Sequence, residues 1–195
     1  MQRNIIFITG GARSGKSSFA IKEVSGIHGE KAFLATAEAL DEEMKERIYN
    51  HKKERGDAWD TYEEPVKIAD LLSAIQGRYR VVLIDCLTLW LSNILHQKQH
   101  PTSSIQHPED EIMKLVDELL NFKNPSHVTL HRPLQGVTHH ASQLFIVSNE
   151  VGMGIVPDNP LAREFRDLAG SLNQKIAELA DEVYLVAAGI PIQIK

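Results

Sequence analysis

Residues Gly10-Gly11-Ala12-Arg13-Ser14-Gly15-Lys16-Ser17 have the types and spacing of a phosphate loop, G-x-x-x-x-G-K-[ST]. Such a loop aims successive backbone N–H groups at one point, backed by the positive end of a helix dipole, and so binds phosphate. The glycines let the backbone approach where a Cβ would collide. Lys16 is expected to reach the β- and γ-phosphates, and the Ser17 hydroxyl to hold a magnesium ion. Asp85 closes the apolar run 81–84. There it reads either as the acid that joins Ser17 at the metal or as an ordinary strand-end acid. His51 falls on an apolar helical stripe with Leu40, Met44 and Ile48, which suits a core histidine. Arg47, Lys52, Lys53 and Arg55 around it equally suit a neutral imidazole that attacks a nucleotide α-phosphate.

The elements needed to position these groups are legible. The β-branched run 4–9 predicts a buried strand into the loop, and residues 17–24 a helix out of it. Strands are expected at 31–36, 80–85, 144–148, 183–187 and 190–194. Helices are expected at 40–55, 66–75, 87–95, 108–122 and from Pro160 to about 179, the last capped by Asn159. Residues 57–64 read as a polar loop in which Trp59 and Tyr62 are either lids on the core or stacking surfaces for a flat ligand. Residues 148–157, S-N-E-V-G-M-G-I-V-P, suit either a substrate-facing segment or a structural loop covering the sheet. Alternating strands and helices predict an α/β fold: one phosphate-loop domain over 1–195, with a mostly parallel sheet flanked by helices. Ligands then bind beyond the C-terminal strand ends, where Gly10 to Ser17, Thr36, Asp85 and Asn149-Glu150 should converge.

Composition narrows the class. At 195 residues with a net charge of −5, the chain offers no bulk electrostatic case for nucleic acid. One cysteine, Cys86, excludes an internal disulfide and suits a reducing cytosol, with buried filler as its expected role. No apolar stretch reaches membrane-spanning length and no signal peptide is recognisable, so a cytoplasmic protein is expected. Residues 123–143 hold four histidines (127, 131, 139 and 140) without metal-site spacing, so they read as a solvated loop. The guanine-recognition motif N-K-x-D and the transporter signature L-S-G-G-Q are both missing, which leaves a small-molecule kinase or nucleotidyl transferase.

Further motifs make the chain resemble a known family. They are T-G-G-A-R-S-G-K-S at 9–17, A-T-A at 35–37, D-E-E-M at 41–44, and Arg47-Ile48 with His51-Lys52. Trp59, Thr61 and Glu63 follow, then the segment 148–157, Leu161-Ala162-Arg163, Phe165-Arg166-Asp167 and Asn173-Gln174. The chain resembles the bifunctional adenosylcobinamide kinase/adenosylcobinamide-phosphate guanylyltransferases of cobalamin biosynthesis. The resemblance implies two reactions at one site: phosphorylation of adenosylcobinamide by ATP or GTP, then transfer of GMP from GTP to give adenosylcobinamide-GDP. It implies that His51 carries GMP covalently. It also implies nucleotide contacts at Gly10, Gly11, Ala12, Arg13, Ser14, Gly15, Lys16, Ser17, Ala35, Thr36, Ala37, Lys52, Lys53, Glu54, Arg55, Glu63 and Asp85. Mg2+ is the implied cofactor, at Ser17 and Asp85, and a homotrimer the implied assembly. Three positions depart from the family pattern. Asp85 stands where relatives often carry Glu, Asn50 where some carry a second histidine, and 123–143 is longer than the usual link. A monofunctional phosphate-loop kinase with a structural His51 is the runner-up.

Overall fold

The computed structural model describes residues 3–38, 42, 45, 46, 53, 58–75, 77–100, 105–124 and 143–195. The expected helix over 40–55 lies largely outside the described residues, as do His51, Lys52, Glu54 and Arg55. The four histidines at 127, 131, 139 and 140 also lie outside them.

The architecture is a seven-stranded sheet in the order β3-β2-β4-β5-β1-β6-β7. β1 (Asn4–Gly10) is flanked by β5 (Gln143–Val147) and β6 (Glu182–Ala187), both parallel to it. β2 (Lys31–Ala35) pairs in parallel with β3 (Asp60–Glu63) and with β4 (Val81–Asp85). β7 (Ile190–Gln193) closes one edge antiparallel to β6. The α/β fold class is therefore as expected. The inner strands are near-continuous apolar runs because both of their faces are covered.

One face carries α1 (Lys16–Ser25), whose Ala20 and Val24 pack on Ile6, Ile8, Leu83 and Val147. The other face carries α2 (Ile68–Ile75), α3 (Leu87–Lys98), α4 (Pro108–Lys123) and α5 (Pro160–Leu179). There Leu72, Trp90, Leu115 and Ile176 close over Ile5, Phe7 and Ile84. Helix starts follow local chemistry. Glu64 Oε1 accepts from the N–H groups of Val66 and Lys67 ahead of α2. Pro108 opens α4, with three acids in its first turn. Asn159 Oδ1 accepts from Leu161 N and Ala162 N, the cap expected for α5.

The expected loop over 57–64 is corrected: Asp60–Glu63 forms β3. Only Tyr62 of its four residues is even partly buried, so no apolar alternation marks it. Pairing with β2, rather than a hydrophobic face, makes it a strand.

Candidate active site

The phosphate loop leaves β1 at Gly10, and α1 begins at Lys16. Gly10 has φ 151°, and a Cβ there would lie 2.2 Å from the Val186 carbonyl oxygen, so only glycine fits. Gly15 has φ 95° and packs its Cα side against Gly189. Gly189 N also donates to Ser14 O at 2.9 Å. Ala188 and Gly189, both at positive φ, make the tight turn between β6 and β7. The loop is thus braced from behind by a hairpin tip.

Lys16 is 6% exposed, and its Nζ donates to Gly11 O at 2.6 Å, curling the ammonium over its own loop. Burial is the largest influence on this ammonium and pushes its pKa below the ordinary lysine value; Cys86 and Asp85 pull the other way. Asp85, at the end of β4, therefore acts on the phosphate-loop cation, although β5 separates their strands. Burial, with Asp85 next in effect, pushes the Cys86 thiol up to about 11. Cys86 is accordingly protonated at neutral pH and serves as buried filler, as expected.

A hydrogen-bonded polar layer supports this edge. Thr36, fully buried, donates through Oγ1 to Cys86 O and accepts from Cys86 N, both at 2.8 Å. Its side chain is committed to holding the end of β2 against the end of β4. Asn93 Nδ2 donates to Thr36 O and Pro65 O. Thr88 Oγ1 accepts from Asn149 N at 2.7 Å, and Asn173 Nδ2 donates to Asn149 O at 3.0 Å. Glu150 N donates to Gly10 O at 2.9 Å. Side-chain oxygens of Thr9 and Asn173 are buried without a hydrogen-bond partner.

The structure brings the phosphate loop, the 35–37 segment, Asp85 and Asn149-Glu150 to one edge of the sheet, as the topology required. Glu63 ends β3, the strand farthest from β1 on that side. Lys53 is helical and exposed. Trp59 stands edge-on to Phe33 with ring centroids 5.8 Å apart, and the Tyr62 hydroxyl pairs with that of Tyr79 at 2.6 Å. Both rings contact the protein's own core side chains. Sequence reasoning missed Thr88 and Asn93. The available signal was a polar residue inside the strongly apolar α3, where only a buried hydrogen-bonding role keeps it.

As for metal, no three His, Cys, Asp or Glu side chains gather into a binding cluster among the described residues. The remaining donor set, one hydroxyl (Ser17) and one carboxylate (Asp85), fits magnesium. That ion is held by one or two protein oxygens together with substrate phosphates.

A phosphate loop on a mostly parallel sheet, with an acid two strands away, defines an α/β phosphate-loop nucleotide-binding class. The solved-structure comparison agrees at the level of fold. A prototypical ATPase of a bacterial type III secretion system superposes with a TM-score of 0.54 at 12% identity, covering 93% of this chain and 50% of that one. The assembled ATPase EscN of enteropathogenic E. coli gives 0.53, also at 12%, over 95% and 43%. This chain thus spans about half of each ATPase.

The family profile described as cobinamide kinase / cobinamide phosphate guanyltransferase matches residues 6–194, and the chain belongs to that family. It is 35% identical over 191 residues to the bifunctional adenosylcobalamin biosynthesis protein CobU of Escherichia coli strain K12, covering 98% of this chain and 99% of that one. It is equally similar to CobU of Salmonella typhimurium, over the same shares. The corresponding CobP of Pseudomonas aeruginosa is 34% identical over 96% and 95%.

Proposed function

We propose that this chain phosphorylates adenosylcobinamide with a nucleoside triphosphate and then transfers GMP from GTP to the new phosphate, through GMP held on His51. The observation that carries the reading is the convergence of Gly10–Ser17, Asp85 and the 148–157 segment at one sheet edge, in a chain matched to the family over 6–194. Relatives of nearly equal length carry bifunctional names, which favours both activities over a kinase alone.

In the transfer step the His51 imidazole nitrogen bonds to the α-phosphorus, and pyrophosphate leaves with the electron pair of the broken bond. A phosphate oxygen of the acceptor then displaces the imidazole. Lys16 stabilises charge on the phosphates from within the loop. Ser17 and Asp85 are the residues that would hold Mg2+, which supplies further neutralisation of phosphate charge. Ala35, Thr36, Ala37, Lys52, Lys53, Glu54, Arg55 and Glu63 are proposed nucleotide contacts. The side chain, N–H and carbonyl of Thr36 are all engaged within the protein, by Cys86, Asp85 and Asn93, so its proposed part is to hold the neighbouring Ala35 and Ala37 in place. A cytoplasmic homotrimer is the proposed state.

The test is to incubate the protein with [α-³²P]GTP and magnesium, denature it, and expose it to acid or alkali. Acid-labile, alkali-stable label that disappears in His51→Ala is expected, with at least part of the kinase activity kept. Lys16→Ala should damage both reactions. Because only neutral imidazole attacks, labelling should fall as pH drops through the ordinary histidine value, about 6.5. Label at wild-type level in His51→Ala would refute the covalent route.

A further inference from the structure

The kinase half-reaction releases a proton from the acceptor alcohol, and the residues assigned above do not take it up. Lys16 is a cation, while Ser17 and Asp85 are the residues proposed to hold Mg2+. Acids at or just beyond the C-terminal edge among the described residues include Glu38, Glu63, Glu64, Asp85 and Glu150. Glu38 follows β2, three strands and ~14 Å from β1. Glu64 caps α2. Glu63 ends β3, four strands from β1, or ~19 Å at the usual strand spacing. Asp85 ends β4, two strands and ~10 Å away. Glu150 follows β5, which pairs directly with β1.

Glu150 is also the acid whose backbone is fixed to the phosphate loop itself. Its N–H donates to Gly10 O, the first residue of the loop. The preceding Asn149 is held at its N–H by Thr88 of α3 and at its carbonyl by Asn173 of α5. Two helices and the loop therefore fix the peptide that joins Asn149 to Glu150. The carboxylate is partly exposed, and its Oε1 accepts from Gly152 N at 2.8 Å. A Cβ at Gly152 would lie 3.0 Å from that oxygen, so glycine there leaves the carboxylate its place.

We infer that Glu150, aligned with the phosphate loop by Gly10, Thr88 and Asn173, is the general base of the kinase step. This rests on the two-reaction reading above. The alcohol oxygen bonds to the γ-phosphorus while the bond to the bridging oxygen breaks, and the nucleoside diphosphate leaves with that electron pair. The alcohol proton passes to the Glu150 carboxylate. Guanylylation of His51 has no alcohol to deprotonate, and transfer onto the cobinamide phosphate uses an oxygen that is already anionic. The base therefore serves one reaction of the two.

The test compares wild type, Glu150→Gln and Gly152→Ala in two assays: phosphorylation of cobinamide, and labelling by [α-³²P]GTP. Gln keeps an acceptor for Gly152 N, so Glu150→Gln should fold, checked by an unchanged melting temperature. The expected result is a fall of about 100-fold in kinase kcat with labelling retained, the scale of a general base. Gly152→Ala, which crowds the carboxylate without removing it, should show a smaller fall confined to the same assay. Kinase activity at wild-type level in Glu150→Gln would overturn the assignment, and so would an equal loss in both assays. A wild-type protein that fails to phosphorylate cobinamide at all would instead overturn the reading on which the assignment rests.

Discussion

Gly10 shows how much one residue decides. Any side chain there meets the Val186 carbonyl at 2.2 Å, a backbone atom of the neighbouring strand that cannot rotate away. Gly10→Ala should cost about 3 kcal/mol or more in urea denaturation and weaken nucleotide binding, because the strand pair must part to admit a methyl group. Gly11, where a Cβ meets nothing within 4 Å, is the control for the stability loss. At this scale the sequence was most readable where chemistry fixes both type and spacing, as in Gly10, Gly15, Lys16 and Ser17. It was least readable for Thr88 and Asn93. Their partners are backbone groups distant in sequence, and no local pattern encodes such a pairing. Thr36 was readable as a residue at the C-terminal edge of the sheet, but the burial of its side chain was not.

At the scale of elements, apolar periodicity located the inner strands and the helices α1 to α5 within a few residues; the helix expected over 40–55 lies largely outside the described residues. Periodicity failed for β3, which is an edge strand without an apolar face. The ends of elements depend on anchors that periodicity does not report, and Asp181 is one of them. It accepts from Ile5 N and from Lys123 Nζ, both at 2.8 Å, tying the start of β1 and the end of α4 to the turn before β6. Burial alone would raise its pKa, but the bonds from Lys123 and Ile5 outweigh burial and hold it below the ordinary aspartate value of 3.8. A depressed carboxylate pKa stabilises the fold above the unfolded value and loses that contribution as pH falls through the folded one. Asp181→Asn should therefore cost about 1–2 kcal/mol at pH 7. The gap from wild type should narrow below pH 3.8, as denaturation curves at pH 7 and pH 3 would show.

Across the whole molecule, the polar residues that are buried as a whole gather in one place, although the Asn4 side-chain oxygen is buried without a partner at the start of β1. All seven buried polar or charged residues among those described, Thr9, Lys16, Thr36, Thr88, Asn93, Ser148 and Asn173, lie at the C-terminal edge of the sheet. The opposite faces are closed by apolar packing. An edge that buries the Lys16 ammonium gives up stability that a bound anion can return. Magnesium and GTP at 100 times Kd should add about 2.7 kcal/mol. For a domain of this size that raises Tm by roughly 5–10 °C. Lys16→Ala should lose most of the shift in a thermal melt. A shift of the same size in Lys16→Ala would place the triphosphate elsewhere.

The hairpin tip at Ala188-Gly189 gives the molecule an order in time. The phosphate loop is read within the first seventeen residues, yet β1 finds its partners only when residues 143 and 182 onward have been made, and Gly189 must arrive to brace Ser14. During synthesis the motif at the front of the chain waits, unassembled, on almost everything behind it. Competence to grip a triphosphate is thus acquired last, so a ribosome-bound fragment that stops short of the hairpin cannot sequester nucleotide in a site built this way.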